Sequence, residues 1–291
     1  MTREFFQPDT LIKALQLRSD HEGSSLLAGG TDLMVAIRND RGPQGSIIDL
    51  SKVHELKGIE AVGDRIRIGP MTTFTEISDS EMLRDAAGML CKAVETVGSP
   101  QIRNRGTIGG NICNASAAGD GMTPLLCLNA EVELQSLKPD ESVSTRILSL
   151  EDFIIDSKKT ALKGDEILTG ILFKNPPADT FSSFKKIGRR NALAIARING
   201  CCALRLNNDI VESIHFALGA STSKPERIRV VEEFLKGREL SLDVLKEAGK
   251  HAAEYVFQQT GTRASSSYKL PVIEKFTVSL IQAATAGRNK I

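Results

Sequence analysis

Two glycine-rich segments hold the residues with the most chemical promise. In Leu26-Leu27-Ala28-Gly29-Gly30-Thr31-Asp32-Leu33 a short apolar run feeds the start of a helical pattern. Unpaired backbone N–H groups and the positive end of a helix can receive a phosphate at such a place. Glycines let the ligand come close, and Thr31 adds a hydroxyl donor. Asp32 would repel a phosphate and suits a helix cap or a ribose hydroxyl instead. The second segment, Arg103-Asn104-Arg105-Gly106-Thr107-Ile108-Gly109-Gly110-Asn111, sets a hydroxyl and two asparagines beside two arginines. Two such loops in adjacent α/β units could grip the two phosphates of a dinucleotide, with backbone amides carrying most of the contact and no obligatory lysine. Tight turns that need glycine for a positive φ are the alternative reading of each loop. Asp120-Gly121 offers an acceptor for a ribose or amino group, or simple turn chemistry.

Other chemistries lack their residues. The chain has no C-x-x-C pair, H-E-x-x-H, G-x-S-x-G, G-x-x-x-x-G-K-[ST] or G-x-G-x-x-G. Its four histidines (His21, His54, His215 and His251) are widely separated, and its five cysteines follow no framework spacing. Cys201 and Cys202 fall in an extended run, where neighbouring side chains face opposite ways and do not converge on a metal. No zinc or iron-sulfur site is expected in this chain.

The elements that must position the two loops read as α/β. Thr10 caps a helix carrying Leu11, Ala14 and Leu15, and Gly23 stops it; Ser25 to Ala28 is a short strand, Leu33 to Arg38 a helix and Ile47 to Leu50 a strand. Residues 58–62 and 65–69 alternate around Gly63-Asp64, which predicts a hairpin. A helix with Met82, Leu83, Ala86, Met89, Leu90 and Ala93 precedes residues 98–120, a stretch of little periodicity and too long for a simple connection. After Asn175-Pro176-Pro177 come strands near Arg197 to Leu206 and Ile210 to Leu218 around an Asn207-Asn208-Asp209 turn. Helices carrying Val230 to Leu235, Leu242 to Ala248 and Val272 to Ile281 follow.

At 291 residues, with 41% hydrophobic and 25% charged, the chain has the bulk for two or three cores. Thirty-seven Lys and Arg against thirty-six Asp and Glu leave a net charge of +1, which argues against nucleic acid as a partner. No apolar run approaches the roughly 18 residues of a membrane span. The opening Met1-Thr2-Arg3-Glu4 and the odd cysteine count are those expected of an unprocessed cytoplasmic protein.

Taken in order, Leu26 to Leu33, Val97-Gly98-Ser99-Pro100-Gln101-Ile102-Arg103-Asn104 and Gly106 to Asn111 resemble the FAD-binding medium subunit of the molybdenum hydroxylases. That group includes xanthine, nicotinate and carbon monoxide dehydrogenases. The likeness continues through Asp165-Glu166-Ile167-Leu168, Phe184 to Arg190 and Arg263 to Lys269, and so covers nearly the whole chain. It implies an α+β fold: a vanillyl-alcohol-oxidase (PCMH)-type FAD domain over residues 1–175, with subdomains of about 1–56 and 57–175 clasping an extended FAD. A CO dehydrogenase flavoprotein-like C-terminal domain over 176–291 completes it.

The resemblance also implies a cofactor set and a role. The pyrophosphate loop falls on Leu27, Ala28, Gly29, Gly30, Thr31, Asp32 and Leu33, and the second glycine loop on Thr107, Ile108, Gly109, Gly110 and Asn111. Gly98 matches a position of close approach and Asp120 the acid on the ribose or phosphate side. Leu168 and Lys186, with Lys159 as a neighbour, fall on the isoalloxazine, where a cation would favour the charge gained on reduction. Neither loop holds a histidine, so the FAD is expected to be non-covalent. The molybdenum cofactor and [2Fe-2S] clusters would sit on a large and a small partner subunit, in a heterotrimer or a dimer of heterotrimers. The chain is thereby expected to be an oxidoreductase subunit relaying electrons to NAD+ or another acceptor, from a purine or N-heterocycle oxidised at molybdenum. A free-standing flavin oxidase and a nucleotide-binding regulatory protein are the alternatives.

Overall fold

The computed structural model describes residues 4–190 and 193–286. The chain begins β1 (Phe5–Phe6), α1 (Leu11–Asp20), β2 (Ser25–Leu27), α2 (Leu33–Arg38), β3 (Ile47–Asp49), β4 (Ile59–Val62) and β5 (Arg65–Ile68). Five helices follow: α3 (Phe74–Asp79), α4 (Glu81–Glu95), α5 (Pro100–Arg103), α6 (Ile108–Asn114) and α7 (Met122–Cys127). Next are β6 (Glu131–Leu137), β7 (Val143–Ser149), α8 (Leu150–Phe153), β8 (Ile154–Asp156), β9 (Lys159–Thr160) and β10 (Ile167–Lys174). The last part has β11 (Phe181–Gly188), β12 (Ala196–Asn207), β13 (Ile210–Gly219), β14 (Glu226–Arg227), α9 (Arg229–Leu235), α10 (Leu242–Thr260) and α11 (Ser266–Thr285).

These elements form two compact units. One takes the chain up to Ser80, Val97–Ala115 and Asn129–Asn175; the other takes Glu81–Thr96, Ser116–Leu128 and the chain from Pro176 on. In the first unit β1, β3 and β2 form a parallel sheet in that order, with Phe5 opposite Ile47 and Leu26 opposite Ile48. The Thr10 hydroxyl accepts from the Lys13 N–H and starts α1, whose Ala14 and Leu15 pack with Ile48 and Leu50. A five-stranded antiparallel sheet, β4-β5-β10-β6-β7, makes up the rest of its framework. Val62 pairs with Arg65 across Gly63-Asp64, and Gly63 takes φ +62°, so the hairpin stands where alternation placed it. Residues 98–120, read from sequence as a long connection, contain α5 and α6. Ser99 and Thr107 cap these helices, and each accepts a hydrogen bond from a backbone N–H three residues on.

The second unit is built on the antiparallel sheet β11-β12-β13-β14. One face packs on the C-terminal helices, where Cys202, Leu204 and Phe216 meet Val231, Leu245, Phe276 and Leu280. Cys201 points the other way, and its sulfur lies 3.1 Å from that of Met89 on α4. Helices α4 and α7 thus join this unit although they precede Pro176, because they cover the face of the sheet that the C-terminal helices leave open. Domain order along the chain and packing units are therefore different divisions of it. Asn208 and Asp209 take φ +48° and +70° in the turn closed by the Asn207–Ile210 pair.

Candidate cofactor-binding site

Both glycine loops belong to the first unit, and the fold brings them together. A Cβ on Gly29 would lie 1.8 Å from the carbonyl oxygen of Arg105, so the first loop runs against the backbone of the second at van der Waals limit. A Cβ on Gly110 would lie 3.8 Å from that of Ala28. Gly30 takes φ +76°, a left-handed turn that directs the backbone from β2 into α2. The N–H groups of Gly29, Gly30, Thr31, Asp32 and Leu33 find no acceptor among the described residues, whereas those of Met34 and Ala36 bond the carbonyls of Gly30 and Asp32. Five successive free amides in a loop with a left-handed glycine are suited to an anion. Asp32 makes no capping bond with its side chain, so its expected role as a helix cap is not realised.

The second loop corrects the sequence reading. Its amides were expected to share the anion contact, yet they are engaged within the chain: Ile108 N–H donates to Thr72 O (3.0 Å), Gly109 N–H to Pro70 O (2.9 Å) and Asn111 N–H to Thr107 O (3.0 Å). The Gly110 N–H donates to the Thr107 hydroxyl at 3.1 Å. Gly109 is glycine because a Cβ would sit 2.4 Å from that of Pro70. What this loop offers a ligand is Asn111, whose buried Oδ1 has no hydrogen-bond partner. An unmade bond of this kind costs about 1–3 kcal/mol and is relieved by a ligand donor.

The remaining expected residues divide. Gly98 takes φ +48°, and a Cβ there would collide with its own Ile102, 2.8 Å away; its close approach is to the chain itself. Leu168 is buried on β10 opposite Leu134. Lys159 is exposed on β9, and its neighbour Lys158 is the lysine tied to α6, donating from Nζ to Asn114 Oδ1 at 2.7 Å. Glu166, in the Asp-Glu-Ile-Leu motif, takes a bidentate bond from Arg146 (2.6 and 2.7 Å) and an N–H from Lys163 (2.8 Å). Burial raises its pKa, but those donors outweigh burial and hold the carboxyl below its ordinary value.

Asp120 and Lys186 lie in the second unit, where they pair with each other. Lys186 Nζ stands 2.5 Å from Asp120 Oδ2 and donates to Thr96 O at 3.0 Å. Asn199 Nδ2 donates to Asp120 Oδ1 at 2.8 Å. The resemblance had assigned acid and base to separate parts of the cofactor; here they are one buried pair, and Lys186 is not a free cation. Burial raises the Asp120 pKa against the pull of Lys186 and Asn199. Asn199 escaped the sequence reading, although an amide inside the apolar run Ile198–Leu204 was its signal. Lys185, on the other face of β11, donates to the Ser279 hydroxyl.

Among the described residues no group of three or more His, Cys, Asp or Glu could hold a metal, and no helix is long and apolar enough to cross a membrane. Comparison with known families finds the FAD-binding domain of molybdopterin dehydrogenases over residues 1–174 and the CO dehydrogenase flavoprotein C-terminal domain over 182–284. The chain is 34% identical to the nicotinate dehydrogenase FAD-subunit of Eubacterium barkeri, with 99% of each covered. It is 31% identical to the xanthine dehydrogenase FAD-binding subunit of Escherichia coli O157:H7, over 96% of this chain and 94% of that one. In fold it matches a chain of the carbon monoxide dehydrogenase of Hydrogenophaga pseudoflava with a TM-score of 0.90 at 23% identity, covering 98% of both. Free amides beside an unsatisfied asparagine, a family match to each domain and a full-length likeness to FAD subunits agree on one assignment: this chain belongs to the FAD-binding medium subunits of the molybdenum hydroxylases.

Proposed function

We propose that this subunit binds one FAD non-covalently and relays electrons from [2Fe-2S] clusters on a small subunit to NAD+, while a purine or N-heterocycle is oxidised at molybdenum on a large subunit. The observation that carries the reading is the row of five free amides from Gly29 to Leu33. That row receives the pyrophosphate, with Thr31 as an added hydroxyl donor and the Asn111 Oδ1 accepting from a polar hydrogen of the cofactor. Gly98, Thr107, Ile108, Gly109 and Gly110 shape the loops, while Leu168, Lys159 and the paired Asp120 and Lys186 are carried by family likeness. When bound, FAD couples one-electron carriers to a two-electron acceptor. The chain positions it and leaves substrate chemistry to its partners in a cytoplasmic heterotrimer or dimer of heterotrimers; the names of its relatives, an FAD-subunit and a medium subunit among them, support membership of a multi-subunit enzyme.

The test is to purify the chain alone and together with candidate large and small partner subunits. The isolated chain should be yellow, release all its flavin on acid precipitation and pass electrons from NADH to a dye, yet hydroxylate nothing. A soluble, colourless chain would remove the flavin reading. Hydroxylation by the chain alone, free of molybdenum and iron, would replace the subunit reading with a free-standing flavin oxidase.

A further inference from the structure

In the second unit three cationic side chains gather without a carboxylate. Arg197, on β12, lays its guanidinium 5.4 Å from the centroid of Tyr268. Lys269, one residue on in the first turn of α11, is half-buried and donates to the carbonyl of Ala220. Arg263 stands just before α11, where its backbone N–H donates to the Ser266 hydroxyl at 2.8 Å. Burial lowers the Lys269 pKa first, and Arg263 and Arg197 each lower it further. None of the three forms an ion pair among the described residues, in a chain whose other basic groups repeatedly find acids, as Arg205 does with Asp179 and Arg227 with Glu232. The sequence supplies no acid nearby: residues 180–208 and 255–273 contain neither Asp nor Glu. The first turn of the 20-residue helix α11 likewise holds none, and Ser265 does not cap it.

Gathering like charges at a half-buried position costs free energy that a carboxylate would ordinarily offset. Two arginines with forked donors and one lysine as a point charge suit a group with several anionic oxygens. Tyr268 is 49% exposed although Arg197 covers part of its ring, which leaves aromatic surface for a flat base. We propose that Arg197, Arg263, Lys269 and Tyr268 form a nucleotide site on the second unit, taking a diphosphate on the three cations and a base on the tyrosine. The proposal does not depend on the flavin reading, because every residue in it lies outside the two glycine loops.

The experiment is calorimetric titration of ADP, inorganic pyrophosphate and adenosine into the full chain as purified, with bound flavin measured before and after. ADP and pyrophosphate should bind, more weakly as salt is raised, and adenosine should not. Arg197→Gln and Arg263→Gln, both at exposed side chains, should each weaken both ligands about tenfold with flavin content unchanged. Tyr268→Leu should reduce ADP to the affinity of pyrophosphate and leave pyrophosphate unaffected. Absence of binding by both anions, or binding undiminished in the arginine variants, would overturn the site. So would a wild-type chain that binds neither anion while its arginine variants fail to co-purify with partner subunits; that result would make the cluster a docking face for an acidic protein.

Discussion

Residues 29–33 and 107–111 are close in composition and opposite in hydrogen bonding. The first leaves five consecutive amides free, while the second returns four of its own to Pro70, Thr72 and Thr107. Glycine answers a different need in each. Gly30 allows the positive φ of the turn that carries the backbone from β2 into α2, whereas Gly109 allows helix α6 to start directly against Pro70. A glycine-rich loop is therefore a ligand site only where its amides lack partners in the chain, and composition alone does not distinguish the two cases.

The contrast can be broken at its strongest point first. Gly29→Val places a branched Cβ on the Arg105 carbonyl, and the thermal unfolding of the chain should show a loss of about 3 kcal/mol or insoluble expression; wild-type stability would mean that the loops are not in contact. Gly30→Val should fold with a smaller penalty, about 1–2 kcal/mol for the left-handed backbone, but lose nearly all flavin by absorbance. If it keeps wild-type flavin, the free amides are not the cofactor's cradle. Asn111→Leu separates function from stability: flavin should dissociate roughly tenfold more readily, for a lost bond worth about 1.4 kcal/mol, while the flavin-free protein should be no less stable, since an unpaired buried oxygen has been removed. A destabilised flavin-free variant would mean that this oxygen has a partner in the chain. The smallest effect belongs to Gly110→Ala, whose Cβ would press on the Thr107 hydroxyl 3.0 Å away; it should cost no more than a cap, about 1 kcal/mol, and keep most of its flavin. Flavin loss matching that of Gly30→Val would show that the second loop approaches the cofactor as closely as the first.

What could be read from sequence follows the same division. The 59–68 hairpin was legible because period-two alternation flanks a glycine turn, and the cap at Thr10 is local chemistry; the caps at Ser99 and Thr107 start helices inside a stretch whose weak periodicity reads as a connection. β10 gave no such signal, because it is buried from Ile167 to Phe173 and has no polar face to alternate. In β11 the doublets Ser182-Ser183 and Lys185-Lys186 hide the two-residue period. At the site, the loops were legible, but which amides stay free was not: the acceptors for Ile108 and Gly109 come from residues 70–72, and tertiary pairing is invisible locally. The Asp120–Lys186 pair joins residues 66 apart and shares this property.

The chain enters its second unit three times, at Glu81–Thr96, at Ser116–Leu128 and from Pro176 on. On a ribosome, α4 and α7 emerge well before the sheet strands they cover, with Met89, Leu90, Leu125 and Leu126 still awaiting burial. A nascent chain stopped near residue 175 would carry a completed first unit and two orphaned greasy helices, a species open to chaperones and to aggregation. Truncation after the proline pair should therefore yield a sticky fragment rather than an independent FAD module, and the two units should be separable only by relinking the chain, not by cutting it.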